Sequence, residues 1–538
     1  MATETVSVCI IGAGYGGSIM AARLAEALQD HPEHKIVLLE KGYDWHGVDP
    51  NSTNGTRNEF GTRFKQSDEP DYLAKIYHHY TDQAPGSVLS GFPTMHVLAG
   101  KGVGGGSLVN CAVAIRAPSE SFEHRDDFDH RRWPAMYTRS FLNPYYTRAE
   151  QALNAQPLSW TSGSGPDWAR PTYSDHVFAK GCLKAGITAQ PLTLAMKDCK
   201  NCGWCYSGCA FDAKTGANYF KRAHQLGVRI DSECDVYEIA PAGASGYVVS
   251  YFDRRSNQDK TIECKLLILG AGAVGSTGLM LASKTNFSGT RELSWTLGKH
   301  VSANGDYYVG GLVGDEYAPL NTHKGKVLNS ITWSYWEQYQ FVIQCLSYRP
   351  WLNIYGLPSQ LAEADFPNDR GRNVIDPATP LYGREFKDVL TKWSSHLLGL
   401  LIIGIDQAEG EIQYRLGATG YGPSVEWSAT HPKTQAMWDK AIDASSKIFE
   451  ALGGKLLADV YRDRGLVTAP HVVGGCRMGE NPDMGVVDPY GEVFGNKNLF
   501  ITDGAALPQV GVNPYLTISA VAEHNAERLQ QTLLERLA

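Results

Sequence analysis

Residues 6–17 read VSVCIIGAGYGG, an apolar, β-branched run that leads directly into a glycine-dense turn. The SIMAARLAEAL that follows has apolar residues at helical spacing. Gly12, Gly14 and Gly17 would allow a tight turn that brings a pyrophosphate to the helix N-terminus, and Glu40 ends the next strand, where it can accept hydrogen bonds from ribose hydroxyls. The stretch therefore predicts a Rossmann-like unit that binds a dinucleotide.

Two further segments look like parts of a cofactor site. Residues 98–112, LAGKGVGGGSLVNCA, form a second glycine-dense loop, and residues 498–508, NLFITDGAALP, read as a strand that ends in an acid and a glycine. An NAD domain is usually one contiguous unit, whereas these segments are spread over the whole chain, so FAD is favoured over NAD. The candidate cofactor residues in the two segments are Gly102, Gly105, Ser107, Asn110, Asp503 and Gly504.

The candidate catalytic residues lie near the C-terminus. His471 opens HVVGGCRMG, and Asn513 follows 42 residues later in GVNP. A histidine and an amide held by a Gly/Pro-rich frame can remove the proton of an alcohol and hold its oxygen. The alternative for His471 is a buried histidine with a purely structural role.

Four of these blocks carry a resemblance to a known family. GAGYGG, GKGVGGGSLVN, HVVGGCRMG and TDGAALPQVGVNPYLTISAVAEHNAER are similar, in this order, to segments of the glucose-methanol-choline (GMC) oxidoreductases, above all of the cholesterol-oxidase branch. The resemblance covers about half of the chain and is thin between about 296 and 460. It implies FAD, an alcohol substrate, and hydride transfer from the alcohol carbon to flavin N5, with His471 as the base and Asn513 at the same oxygen.

The resemblance also implies roles for single positions. It places the backbone of Val236 at adenine, Ala271 against the dinucleotide and Pro514 at the cofactor. Val236 is equally well explained as an ordinary strand valine. Relatives that tether FAD through a histidine would carry it near Val109, so non-covalent FAD is expected here.

A third catalytic candidate comes from aligning SSHLLGLLIIGIDQAEGE with the strand that carries a glutamate in cholesterol oxidases. His396 then takes the position of that glutamate. The alternative is a histidine at a strand edge. Because glutamate is replaced, the sterol chemistry need not carry over.

Four of the eleven cysteines lie close together in the sequence. Cys199, Cys202, Cys205 and Cys209 have the C-x2-C-x2-C-x3-C spacing of a bacterial ferredoxin, although Ala210 stands where proline usually follows. The spacing indicates an iron–sulfur cluster that would pass electrons to a partner. The alternative is a packed turn beside the flavin that holds no cluster; no other metal-binding set is predicted.

Composition excludes several classes of partner and location. A net charge of −8 without basic runs argues against nucleic acid, and the longest apolar runs, at 266–274 and 397–405, are too short to span a membrane. The first strand begins at about Val6 and leaves no room for a secretory signal, and eleven dispersed cysteines do not form a disulfide framework. A cytoplasmic protein with reduced thiols is expected.

The predicted fold is α/β, or α+β overall: a Rossmann-like FAD-binding domain interleaved with a substrate domain built on an antiparallel sheet backed by helices. The FAD-binding domain takes residues 1–45, 91–120, 195–295 and 465–538. The substrate-binding or cap domain takes 46–90, a polar stretch that would act as a lid, together with 121–194 and 296–464. Within the first domain, residues 228–239, 246–255 and 261–274 read as a strand meander that rejoins the cofactor sheet.

Three functions agree with these features. The first is an FAD-dependent oxidase of a small-molecule alcohol, bulky or cyclic and sterol-like, that passes electrons to oxygen. The second is a dehydrogenase that uses a non-oxygen acceptor, such as an electron-acceptor protein reached through the cysteine cluster. The third is a lyase that keeps the flavin without redox turnover, because a fold alone does not fix the reaction.

Overall fold

The computed structural model describes residues 3–53, 75–81, 95–161, 166–206, 208–209, 213–322, 324–347, 383–417, 420–427, 431–457 and 467–538. Most of the predicted lid, at 54–74 and 82–90, lies outside these residues.

The described strands are β1 (Glu4–Ile11), β2 (Ile36–Leu39), β3 (Tyr77–Thr81), β4 (Met95–Gly100), β5 (Ala155–Pro157), β6 (Gln190–Pro191), β7 (Thr193–Ala195), β8 (Arg229–Asp231), β9 (Cys234–Ala242), β10 (Gly246–Asp253), β11 (Gln258–Leu269), β12 (Tyr307–Leu312), β13 (Leu328–Thr332), β14 (Phe341–Leu346), β15 (Leu397–Gly404), β16 (Glu411–Gly417), β17 (Gly420–Glu426), β18 (Lys455–Leu456), β19 (Val467–Ala469) and β20 (Leu499–Ile501).

The described α-helices are α1 (Tyr15–Ala27), α2 (Ser119–Glu123), α3 (Arg139–Ala152), α4 (Tyr173–Lys184), α5 (Asn218–Gln225), α6 (Gly272–Ala282), α7 (Trp336–Tyr339), α8 (Gly383–Ser394), α9 (Pro432–Ala451), α10 (Tyr515–Gln530) and α11 (Leu533–Leu537).

A seven-stranded sheet forms the first half of the fold. β8, β2, β1, β11 and β20 run parallel, and β11 continues into an antiparallel meander with β10 and β9. β1 is followed at once by α1, and the inner residues of β1 are fully buried, as expected for a central parallel strand. The predicted Rossmann-like unit is therefore confirmed.

The meander differs from its predicted form at one point. Residues 228–239 were expected to form one strand, but they divide into β8, which pairs with β2, and β9, which pairs with β10. The break falls at Glu233, which has a left-handed φ of 60°. Glu233 bonds the backbone and hydroxyl of Thr53, so its side chain supports the turn that moves the chain across the sheet.

A six-stranded antiparallel sheet forms the second half, in the order β18-β12-β15-β14-β13-β6. Every residue of β15 is buried, and α9 packs on one face of the sheet. A Cβ on Gly311 would overlap the ring of Phe449, so the glycine lets α9 approach β12 closely. An antiparallel sheet backed by helices was predicted for this region and is confirmed.

The two sheets draw on interleaved segments of the chain. The seven-stranded sheet takes strands from both ends, and the six-stranded sheet takes most of its strands from 307–456. One helix of the predicted cap domain, α3, packs against the C-terminal α10, which belongs to the predicted FAD-binding domain. Tyr146 bonds Thr517 at 2.9 Å, and Arg148 pairs with Glu527 at 2.6 Å. The residue-by-residue division into two domains stays a prediction.

Candidate functional site

Glycines bring together three cofactor segments that are distant in sequence. A Cβ on Gly12 would lie 2.5 Å from the carbonyl oxygen of Gly270, at the end of β11, and a Cβ on Gly105 would lie 2.7 Å from Cα of Gly14. A Cβ on Gly17 would overlap the carbonyl oxygen of Gly12. Only glycine therefore allows these three segments to make backbone contact: the first turn of α1, the end of β11 and the second glycine loop.

Glu40 lies at the end of β2 and is buried. Its carboxylate accepts backbone N–H bonds from Ala13 (3.0 Å), Gly42 (2.9 Å) and Gly102 (3.2 Å). Burial raises the pKa of the Glu40 carboxyl, and the three backbone donors oppose that shift. The acid fixes the glycine turn and also faces the cavity described below, where it can bind ribose hydroxyls.

Asp503 organises the N-terminus of α6. Its carboxylate accepts bonds from the backbone N–H of Gly272 at 2.8 Å and the hydroxyl of Ser276 at 2.6 Å, and its other oxygen accepts from the N–H of Ala505 at 2.8 Å. Burial raises the pKa of Asp503. The residue therefore holds the segment after β20 against the turn after β11, with Gly504 beside it.

Asn110, in the second glycine loop, lies next to the first glycine turn. The Asn110 amide donates to the hydroxyl of Tyr15 on α1 at 2.8 Å, and its carbonyl accepts from the backbone N–H of Ala112 at 3.2 Å. Ser107 is buried against Gly216, and Gly102 bonds Glu40, so these two residues support the loop from behind.

One cavity of about 650 Å³ is lined by residues from all of these segments. That volume lies within the usual range of ligand sites. Of the predicted cofactor residues, Gly17, Gly102 and Ser107 do not line it; those that do are Gly12, Gly14, Glu40, Gly105, Asn110, Val236, Ala271, Asp503, Gly504 and Pro514. A dinucleotide fits the chemistry of this lining, because backbone N–H groups at two helix N-termini and a carboxylate at a strand end are the groups that phosphates and ribose require.

His471 and Asn513 line the same cavity. Nδ1 of His471 lies 2.7 Å from Oδ1 of Asp306, and the His471 backbone N–H donates to the other oxygen at 3.1 Å. Asp306 is fully buried; burial raises the pKa of its carboxyl, and the imidazole of His471 lowers it. An ionised Asp306 accepts the Nδ1 proton, which leaves Nε2 of His471 as the acceptor that faces Asn513.

Asn513 completes a chain of side chains. Its Nδ2 lies 3.3 Å from Nε2 of His471, and its Oδ1 accepts a bond of 2.7 Å from Nε2 of Gln344. The order along the chain is Asp306, His471, Asn513, Gln344. The structure thus brings together the two predicted residues, His471 and Asn513, and adds two that sequence reasoning missed.

Local structure explains how Asp306 reaches His471. Asn304 and Gly305 both have left-handed φ values, 59° and 62°, and turn the chain into β12. The Asn304 side chain donates to the carbonyl of Val512 at 2.8 Å and accepts from the N–H of Gly511 at 2.7 Å. This asparagine therefore ties the turn before Asp306 to the segment that carries Asn513.

A row of side chains on the six-stranded sheet borders the site. Tyr308, Leu401 and Gln344 pair across β12, β15 and β14, so their side chains share one face of the sheet. Tyr308 and Leu401 line the cavity, as does Leu328 of β13. This face supplies an apolar wall beside Asn513.

His396 is not part of this group. It precedes β15, its Nε2 lies 3.0 Å from Oδ1 of the exposed Asp315, and it does not line the cavity. The strand position that does reach the cavity is Leu401, opposite Gln344. The structure therefore gives no support for placing His396 with His471 and Asn513.

The four clustered cysteines line one small cavity of about 10 Å³, together with Lys214 and Lys326. None of the four forms a disulfide bond in the described part of the chain. In the described ranges, no three His, Cys, Asp or Glu side chains are grouped closely enough to hold a single metal ion. Among the helices of those ranges, none is long and apolar enough to cross a membrane.

The chain is similar in sequence to several known proteins. Residues 16–300 and 422–522 match the N-terminal and C-terminal profiles of the family described as GMC oxidoreductase. A cholesterol oxidase of Acinetobacter baumannii is 23% identical and covers 96% of this chain and 92% of its own length. A long-chain-alcohol oxidase of Arabidopsis thaliana is 21% identical and covers 99% of this chain and 68% of its own length.

The fold has a solved counterpart. The crystal structure of pyridoxine 4-oxidase from Mesorbium loti superposes with a TM-score of 0.63 at 16% identity, over 98% of this chain and 99% of that one. At that identity the likeness concerns the fold alone. The two family profiles together span well over half of the sequence, and they show that this chain belongs to the GMC oxidoreductase family, whose members bind FAD and oxidise alcohols.

Proposed function

We propose that this chain binds FAD non-covalently and oxidises a small-molecule alcohol to a carbonyl, with oxygen as the acceptor. The observation that carries the proposal is the contact of Asp306, His471 and Asn513 at a cavity that the dinucleotide-type glycine segments also line. Bound FAD would supply the hydride acceptor. The other parts of the reaction belong to the protein's own side chains.

Proton removal is the task of His471. Asp306 accepts from Nδ1 and keeps the ring in the tautomer whose Nε2 has a free lone pair. That nitrogen can take the hydroxyl proton of an alcohol. As the alcohol oxygen gains negative charge, the Nδ2–H of Asn513, which lies 3.3 Å from the same nitrogen, can donate to it.

Non-covalent binding is supported by the side chain at position 109. Val109 lines the cavity, and a valine has no group that can bond covalently to a flavin. Val236 also lines the cavity, which supports a place for it at adenine.

The substrate we propose is bulky or cyclic, such as a sterol, or a long aliphatic alcohol. Tyr308, Leu328 and Leu401 offer an apolar wall beside Asn513, where a hydrocarbon body can be buried while the hydroxyl reaches His471. The names of the cholesterol oxidase and the long-chain-alcohol oxidase among the relatives support the same classes.

Anaerobic reduction of the holoenzyme tests the reaction. Cholesterol or 1-dodecanol should bleach the flavin absorbance of the wild type, and His471→Ala should retain FAD but lose the bleaching. His31→Ala, at a partly exposed histidine, is the matched control and should behave as the wild type. If no alcohol of a broad panel bleaches a fully FAD-loaded protein, the redox function is wrong and a flavin-retaining lyase becomes the better hypothesis.

The acceptor has a test of its own. With oxygen as the acceptor, each carbonyl formed should be matched by one hydrogen peroxide. If the reduced flavin persists in air and is reoxidised by a quinone or an artificial acceptor, the protein is a dehydrogenase.

A second candidate, a dehydrogenase with an iron–sulfur cluster on the four cysteines, is favoured by the charges around them. Lys214 donates to three backbone carbonyls, and Lys326 donates to two carbonyls and the amide oxygen of Asn201. Both lysines are buried, and neither has a carboxylate within ion-pair distance in the part of the chain described. Buried charges normally have a partner of opposite sign, and a four-thiolate cluster carries about two negative charges.

Backbone donors to the thiols support the same candidate. Asn201 N–H lies 3.4 Å from the sulfur of Cys199, and Ala213 N–H lies 3.1 Å from that of Cys209. Hydrogen bonds of this kind stabilise cluster thiolates. In a cluster each cysteine binds a different iron, so the thiols must lie farther apart than around one ion, and the small cavity must widen.

Iron and acid-labile sulfide measured per FAD decide this candidate. Cys205→Ser should lose both, whereas Cys182→Ser, a buried cysteine on α4, should lose neither. Anaerobically purified wild type without iron would exclude the cluster.

A further inference from the structure

Gln344 is buried on β14 and holds the oxygen end of Asn513. Its Nε2 donates to Asn513 Oδ1 at 2.7 Å, while its own Oε1 has no hydrogen-bond partner among the described residues. Gln344 does not line the cavity. Among the described residues, its side chain therefore bonds a residue of the site but does not itself reach the cavity.

The orientation of an asparagine amide decides what it can do. With Oδ1 occupied by Gln344, Asn513 presents Nδ2, a donor, to His471 Nε2 and to any oxygen bound there. If the amide turned over, its Oδ1 would face the reacting oxygen and oppose the negative charge that develops on it. The same Oδ1 would accept from a protonated imidazole and favour that form of His471.

From this geometry we infer that Gln344 is a positioning residue, which fixes the Asn513 amide with its donor toward the reacting alcohol oxygen and toward His471. The inference rests on the proposed alcohol oxidation for its kinetic consequence. Its consequence for the protonation of His471 is independent of any substrate.

The charged groups around His471 limit how its protonation can change. Asp306 bonds its ring and its backbone. Asp406 is also buried; its charge raises the pKa of Asp306, and the charge of the buried Arg132 lowers the pKa of Asp406. Among the described residues, none of these side chains is hydrogen-bonded to Gln344, so a substitution of Gln344 acts on His471 through Asn513.

The test compares Gln344→Met with Gln509→Met, each as the FAD-loaded holoenzyme. Gln509 is the matched control because it is buried, its Oε1 also has no partner among the described residues, and its Nε2 donates to the backbone carbonyl of Asp406 at 2.6 Å, away from Asn513. Both changes remove one buried amide and keep the length of the side chain. Flavin reduction by cholesterol and 1-dodecanol is followed from pH 5 to 9.

Gln344→Met is expected to slow flavin reduction at saturating alcohol by about 10- to 100-fold with little change in the half-saturating alcohol concentration, because the lost donor acts mainly in the transition state. The acid limb of its pH–rate profile should move to higher pH. Gln509→Met should leave the limb in place. Equal losses in both variants without movement of the limb would show that Gln344 only supports the fold.

A second readout needs no substrate. In 15N-histidine spectra at pH 7, the His471 ring of the wild type should carry its proton on Nδ1, and Gln344→Met should show a larger fraction with both nitrogens protonated. His471→Gln identifies the signal. If this change appears although no alcohol reduces the wild type, the proposed oxidation fails and the positioning role stands; if His471 is unchanged, the positioning role is wrong.

Discussion

Oδ1 of Asp306 lies 2.7 Å from Nδ1 of His471, and Oδ2 of the same carboxylate accepts the backbone N–H of His471 at 3.1 Å. A single buried acid thus holds both the ring and the main chain of the histidine. Because one oxygen is used for each contact, rotation of the carboxylate would break both bonds. The position and the tautomer of the imidazole are therefore set together.

Asp306→Asn should separate these two effects. An asparagine keeps the shape, but its Nδ2–H would donate to Nδ1 of His471 and place the ring proton on Nε2, where the base is needed. Flavin reduction should fall by about 100- to 10,000-fold with FAD content unchanged, as for other histidines that lose their orienting acid. Stopped-flow reduction and the FAD-to-protein absorbance ratio measure the two quantities.

Asp406→Asn is the matched control for this change. Asp406 is equally buried and bonds Ser302 at 2.7 Å, but it does not contact His471. It should cost stability without a comparable loss of reduction rate. A rate for Asp306→Asn within threefold of the wild type would contradict the role given to Asp306.

The cofactor half of the molecule could be predicted well from the sequence, because backbone contacts that only glycine permits appear in the sequence as a glycine motif. Gly12 and Gly17 are required by overlaps that any side chain would cause, and such glycines appear at fixed spacing after a strand. Asp306 and Gln344 leave no such signal. They reach the site through pairings between distant strands and through the Ser302–Val473 bridge, which no local pattern records.

The expectation for His396 rests on a short alignment, and the structure places this residue away from the cavity. β15 begins at Leu397, and its pairing with β14 places Leu401 opposite Gln344. Residues on a strand alternate between its two faces, and the distance along the strand decides which of them reaches the cavity. An ungapped alignment of a uniformly apolar strand fixes neither.

Three partly buried histidines predict a loss of stability in mild acid. Burial lowers the pKa of His78 to about 3, of His124 to about 4 and of His300 to about 4. Unfolded histidine titrates near 6.5, so between about pH 6.5 and 4 the unfolded chain binds protons that the folded chain does not, and the free energy of unfolding falls as the pH drops. Above about pH 6.5 this part of the stability is complete.

His300→Asn tests this at one site. His300 has a left-handed φ of 60°, which asparagine adopts readily, so the backbone is kept. Urea unfolding at pH 7, 6 and 5 should show a pH dependence that is weaker by up to about 1.4 kcal/mol per pH unit, which corresponds to one proton. His31→Asn, at a partly exposed position, is the control for the histidine-to-asparagine change itself. The same slope in His300→Asn and wild type would refute the assignment.

Alanine substitutions at two glycines of the first turn should affect different properties, one the folding stability and the other the affinity for FAD. A Cβ on Gly17 would overlap the carbonyl of Gly12 inside the protein, so Gly17→Ala should lower the free energy of unfolding by about 1–3 kcal/mol or prevent folding. A Cβ on Gly14 meets only Gly270 oxygen, at 3.5 Å, and Gly14 lines the cavity.

Gly14→Ala should therefore fold with near-wild-type stability and lose FAD affinity. Circular dichroism of the apoprotein and FAD titration by fluorescence quenching distinguish the two outcomes. Full FAD content in Gly14→Ala would contradict the prediction that the first glycine turn contacts FAD.

Leu401 and His396, five residues apart around one strand, should differ in their effect on substrate choice. Leu401 lines the cavity and pairs with Gln344, the residue that holds Asn513. Leu401→Ala should therefore enlarge the apolar part of the cavity and raise the preference for the bulkier cholesterol over 1-dodecanol by about 10-fold. His396 bonds Asp315 outside the cavity, so His396→Ala should leave both rates and their pH dependence unchanged. The measurement is the ratio of kcat/KM for the two alcohols. A slower flavin reduction in His396→Ala, with a shifted pH profile, would place His396 in the reaction after all.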